Sequence, residues 1–165
     1  MKIKIIALLA AVMLLCSGML FSCAEDEIIK IDLNDLAKVI GEKIDLSNTV
    51  GRSAEQAQDD YGIMTDDIVQ IVVLRELDVN SAEMLILVEA KDKETTKQIE
   101  ENLKIYKTNK LNELTNYTLN PDNERQYYIV EGAEIVVNQQ YVFWAVYTQS
   151  KEINDIIKDY IKNNK

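Results

Sequence analysis

Two pairs of short apolar runs, each pair joined by a turn and followed by a helical pattern, set what this chain can fold into. Ile68-Val69-Gln70-Ile71-Val72-Val73-Leu74 is β-branched and too short for a comfortable helix, so it predicts a strand. Asp78-Val79-Asn80-Ser81 supplies turn residues, and Met84-Leu85-Ile86-Leu87-Val88 predicts the returning strand. The arrangement recurs near the C-terminus, where strands over Ala133–Val137 and Tyr141–Tyr147 flank Asn138-Gln139-Gln140.

Helical patterns surround these hairpins. Asp32 precedes Leu33, Leu36, Ala37, Ile40 and Ile44, a 3.6-residue apolar period with an acid at its N-cap. Residues 92–114 carry the clearest helix. Its narrow apolar stripe is Ile99, Leu103, Tyr106 and Lys110 or Leu114, and alternating Lys and Glu form its solvated face. Asn120-Pro121-Asp122-Asn123-Glu124 is a helix start, although Tyr127-Tyr128-Ile129-Val130 could equally be extended. Ser150 precedes a last helix with Ile153, Ile156, Ile157 and Tyr160 on its buried face. Residues 47–62 are polar and read as a loop with one helical turn. The order α-ββ-α-(α)-ββ-α predicts an α+β domain, a four-stranded antiparallel sheet from two hairpins with helices mainly on one face.

The N-terminus reads as an export leader. Lys2 and Lys4 form a positive start, and Ile5–Leu20 is apolar apart from Ser17 and Gly18. Leu20-Phe21-Ser22-Cys23 then matches a lipobox, with an aliphatic residue at −3 and small Ser22 before Cys23. Sixteen residues fall short of the ~20 needed to span a bilayer, which argues against an uncleaved anchor. A plain secreted protein is the other alternative. The expected division is a leader over 1–22, lipidated Cys23 with a short tether to residue 31, and one domain over 32–165. The expected location is the extracytoplasmic face of the cell membrane, held by lipid on Cys23.

Charge excludes some partners. Lys2 and Lys4 leave with the leader, so the mature chain sets sixteen basic against 28 acidic residues, a net −12. Nucleic acid needs clustered cations, so it is not an expected partner. The chain has no histidine, and with Cys16 discarded and Cys23 modified it keeps no thiol. Imidazole triads, His-bound zinc and thiol nucleophiles are therefore excluded, and no cofactor is expected.

Two features remain as site candidates. Asp59-Asp60 and Asp66-Asp67 could supply a calcium site or an acid/base pair, or serve as ordinary loop and helix-start acids; EF-hand spacing is missing. In Tyr141-Val142-Phe143-Trp144-Ala145-Val146-Tyr147 both faces are apolar. That pattern predicts a central strand covered on both sides. Alternatively, Tyr141, Phe143, Trp144 and Tyr147 offer an aromatic binding surface on a helix-free face.

Several segments carry a family resemblance. They are Tyr61-Gly62-Ile63 before an acidic pair and a strand, Glu89-Ala90-Lys91-Asp92 entering the long helix, Tyr117 with Pro121, and Ile135-Val136-Val137 through Gln140-Tyr141-Val142-Phe143. In this order they resemble the DUF4358 family of uncharacterised bacterial lipoproteins, over roughly residues 32–162. Its final hairpin usually holds Gly-Asn or Lys-Gly where this chain has Asn138-Gln139-Gln140. The resemblance implies fold extent and location, and no activity or catalytic residue. The expected role is a non-catalytic binding or accessory domain with an envelope protein or ligand as partner. An inhibitor or chaperone-like partner of an exported enzyme is the first alternative, and a carboxylate-dependent envelope hydrolase the second.

Overall fold

The computed structural model describes residues 29–116 and 121–164. Its elements run α1 (Leu33–Gly41), β1 (Thr49–Arg52), α2 (Ala54–Tyr61), a 3-10 turn (Thr65–Asp67), β2 (Ile68–Glu76), β3 (Met84–Ala90), α3 (Lys93–Asn116), α4 (Pro121–Gly132), β4 (Ile135–Asn138), β5 (Tyr141–Val146) and α5 (Ser150–Asn163). The class is α+β, and every strand pairing is antiparallel. Strand order is β1-β2-β3-β5-β4, so the sheet has five strands where four were expected.

The extra strand comes from the polar segment. Thr49–Arg52 pairs with Glu76–Val73 along the free edge of β2. Its side chains are half-buried or exposed, so it carries no apolar alternation to betray it. The eight residues after Ser53 form α2 rather than loop. The Ser53 hydroxyl accepts from the Gln56 N–H and the Gln56 side chain returns a bond to the Ser53 N–H, a capping box. Gly62 ends α2 at φ 70°, a left-handed conformation that favours glycine.

Helices cover both faces of the sheet. Met84, Ile86, Val88, Val142, Trp144 and Val146 point to the face packed by Ala57 and Tyr61 of α2, Ile99 and Leu103 of α3, and Val130 of α4. Leu85, Leu87, Tyr141, Phe143 and Ala145 point to the other face, packed by Leu33, Leu36 and Ile40 of α1 and Ile153 and Ile157 of α5. Three helices therefore lie on one face and two on the other, so neither face is left bare. Tyr61, Tyr106 and Trp144 form a chain of edge-on ring contacts at 4.9 and 6.0 Å within the first core.

The segment before α1 is part of the fold. Ile29 and Ile31 are buried, so packing starts ahead of the boundary expected at residue 32. The Tyr141 hydroxyl holds both, and Gln139 Oε1 accepts from the Ile29 N–H at 3.1 Å. Residues 121–132 are helical, which settles the ambiguity of that segment. Among the described residues no helix is long and apolar enough to cross a membrane.

Candidate functional site

Two clefts lie at the end of the sheet where β2 turns into β3. The turn is held by its own side chains. Asp78 Oδ1 accepts from the Asn80 N–H at 2.9 Å, and Ser81 Oγ accepts from the Glu83 N–H at 3.1 Å. Buried Gln126 of α4 accepts from the Ala82 N–H at 2.9 Å and docks the turn onto the helix. Between this turn, the end of α3 and the start of α4 lies a cleft of ≈ 660 Å³. Its lining is polar and charged, including Asp78, Lys110, Glu113, Asp122 and Arg125. Lys110 and Glu113 pair within it at 3.1 Å.

A second, more apolar depression of ≈ 500 Å³ adjoins the first at Arg125 and is lined by Tyr128, Ile129, Gly132, Tyr147, Thr148 and Ser150. Tyr128, Leu77 and Val79 are exposed at this end of the molecule.

A row of polar side chains crosses the sheet here. Glu76 lies two residues beyond Leu74, Glu83 two before Leu85, and Tyr147 two beyond Ala145, so all three share the face covered by α1 and α5. The Glu76 N–H donates to the Glu83 carbonyl at 3.1 Å, which makes the two acids cross-strand neighbours. Burial pushes the Glu76 carboxyl above the usual carboxylate range, and Glu83, Asp78 and Asp45 push it further. Burial likewise raises the Tyr147 phenol, followed by the charges of Glu83 and Glu76. The Tyr147 hydroxyl is buried without a hydrogen-bond partner. Arg125 reaches Glu83 at 3.4 Å while its side chain stays 68 % exposed. The sequence flags Tyr147 only as part of an aromatic run and the two acids not at all, because the three lie at the ends of separate strands and look like ordinary strand-end chemistry.

Of the residues singled out from sequence, only Tyr147 lies in this row. Ser22 and Cys23 fall outside the described residues. The aromatic surface expected of Tyr141, Phe143, Trp144 and Tyr147 is packed into the core, at 1, 0, 0 and 4 % exposure. The helix-free face that such a surface needs is occupied by α1 and α5. The two acid pairs do not converge on a common ligand. Asp60 pairs with Arg52 at 2.9 Å on α2, and the Asp67 carbonyl accepts from the Lys91 N–H. Among the described residues no three His, Cys, Asp or Glu side chains are grouped as metal ligands.

Residues 42–147 match the profile of a domain of unknown function, DUF4358. That is well over half of the chain. The chain belongs to the DUF4358 family. The match is narrower than the span inferred from the sequence motifs. It contains all five strands with α2, α3 and α4, and leaves α1 and α5 outside. In this DUF4358 domain the β2–β3 turn, both clefts and Glu76, Glu83 and Tyr147 fall within the match, apart from Thr148 and Ser150 at the rim of the second. No curated protein and no solved structure shows significant similarity to the chain.

Proposed function

We propose that this chain is a non-catalytic, lipid-tethered domain that binds an envelope partner with the clefted end of its sheet. The observation that carries the reading is where the chain enters the fold. Ile29 is bonded to Gln139 and to Tyr141, at the end of the sheet that holds the β4–β5 turn. The clefts lie at the opposite end, beyond the β2–β3 turn. The seven residues of β3 separate the two ends by roughly 20 Å at ~3.3 Å per residue. If Cys23 carries lipid, residues 23–28 reach at most about 20 Å, so the Gln139 end faces the bilayer and the clefts face away.

Two sequence properties favour binding over catalysis. The chain offers no imidazole, and its one thiol beyond the leader is the residue the lipobox assigns to lipid. The two acid pairs singled out from the sequence are spread over α2 and the 3-10 turn.

The test is crosslinking in cells with Cys23→Ala as control, alongside processing in the presence of globomycin. The reading expects a globomycin-sensitive precursor and a partner captured through the β2–β3 end and lost in the control. Processing that is identical in Cys23→Ala removes the tether. Capture only through the Gln139 end removes the orientation.

A further inference from the structure

We propose that the Glu76–Glu83–Tyr147 row takes an alkylammonium group, the lysine side chain of a basic protein segment docking on the clefted end of the sheet. This rests on the binding role proposed above and names the chemistry of its partner. Two carboxylates stand side by side on adjacent strands, an arrangement that costs stability unless a cation answers it. Among the ion pairs of the described residues, Arg125 meets Glu83 alone, through one nitrogen at 3.4 Å, and keeps most of its side chain in water. Glu76 receives no such contact among them.

The phenol next to the acids is the second observation. Tyr147 is 4 % exposed, and its hydroxyl has neither donor nor acceptor. A buried hydroxyl left unmatched is costly, and native structures rarely keep one without a ligand or water. The row offers two carboxylates and a phenol oxygen as acceptors, and an ammonium brings three donors and no acceptor. Tyr147, with Arg125 that pairs with Glu83, also lines the neighbouring depression. Leu77 and Val79, just after β2 and in the β2–β3 turn, expose apolar surface at the same end of the sheet, of the kind that anchors a protein partner. The net charge of the chain, −10, draws a basic segment toward it and repels an acidic one.

The experiment uses the full-length chain purified in detergent and carbon-13 labelled at tyrosine, with Tyr147→Phe identifying the Tyr147 ring signal. It needs no lipid on Cys23, so its failure is separable from failure of the tether. The probe is an oligolysine peptide titrated at low and high salt. The expected result is a saturable shift of the Tyr147 signal that weakens with salt and needs about tenfold more peptide in Glu76→Gln/Glu83→Gln. Glu94→Gln/Glu101→Gln, on the exposed side of α3, removes the same charge and is expected to leave the titration nearly unchanged. No shift, or equal losses in the two double variants, overturns the proposal. Saturation by n-butylamine at the same ammonium concentration also overturns it, since the site would then take a free amine rather than a protein segment.

Discussion

The hydroxyl of Tyr141 accepts the backbone N–H of Ile31 at 2.9 Å and donates to the carbonyl of Ile29 at 3.2 Å. One side chain from β5 thus satisfies two backbone groups of a segment that has no secondary structure of its own. Both isoleucines are buried, so the pairing lets a strand-free segment enter the core without stranded polar groups. Tyr141→Phe keeps the ring and removes both bonds. The expected loss is about 1–3 kcal/mol, because the Ile31 N–H stays buried. Thermal unfolding measures it, and amide exchange at Ile31 should speed up more than exchange in β3.

Gln139 sits two residues away in the β4–β5 turn at φ 53°, where a residue with a Cβ is strained. Its side chain also accepts from the Ile29 N–H, so strain and bonding are entangled at this position. Comparing Gln139→Ala with Gln139→Gly separates them. Both lose the bond, but only glycine relaxes the backbone, and it should be the more stable of the two by about 1 kcal/mol. Equal stabilities in denaturant would mean that the turn carries no strain.

Much of this architecture is legible in the sequence, and the part that is not has a physical cause. The two hairpins, α1, α3 and α5 follow from periodicity, because each buries one clear stripe or run. Residues 47–62 hide a strand and a helix because β1 is an exposed edge and α2 buries little beyond Ala57 and Tyr61. Ser53 and Gln56 were the available signal, three residues apart as a capping box requires. Ser53→Ala should cost about 1 kcal/mol and weaken α2. Of the candidate site only Tyr147 stood out, as part of an aromatic run, since Glu76, Glu83 and Tyr147 become neighbours only once β2, β3 and β5 align.

Alkaline pH should unfold the domain through its tyrosines. Burial pushes the Tyr61 phenol up to about 12, with the neighbouring Tyr106 adding to the effect. Burial and the Asp35 carboxylate that accepts its hydroxyl raise Tyr160 to about 12 as well. Unfolded tyrosine ionises near 10.0. A phenol whose folded value is raised stabilises the fold fully below the unfolded value. That contribution is lost as pH climbs from about 10 to about 12. Ultraviolet titration should find these two rings ionising late, together with loss of near-ultraviolet circular dichroism. Tyr160→Phe should move the transition to higher pH.

Trp144 decides whether the aromatic strand is a surface or a core. The side chain is fully buried, its ring meets Tyr106 edge-on at 6.0 Å, and its indole N–H reaches the Ala133 carbonyl at 3.4 Å. Ala133 precedes β4, and Lys107 of α3 donates to the same carbonyl at 2.6 Å. One oxygen therefore ties the strand, the sheet edge and the long helix together around this ring. Trp144→Ala removes the ring and leaves a cavity between α3 and the sheet, at an expected cost of about 3–5 kcal/mol. That is a large share of the stability of a domain this size, so the variant should melt far lower or lose its fixed packing. A variant that stays cooperatively folded with an unchanged midpoint, yet loses a partner, would return Trp144 to the surface and contradict this packing. Trp144→Phe keeps most of the apolar volume without the N–H donor, and should fall between the two.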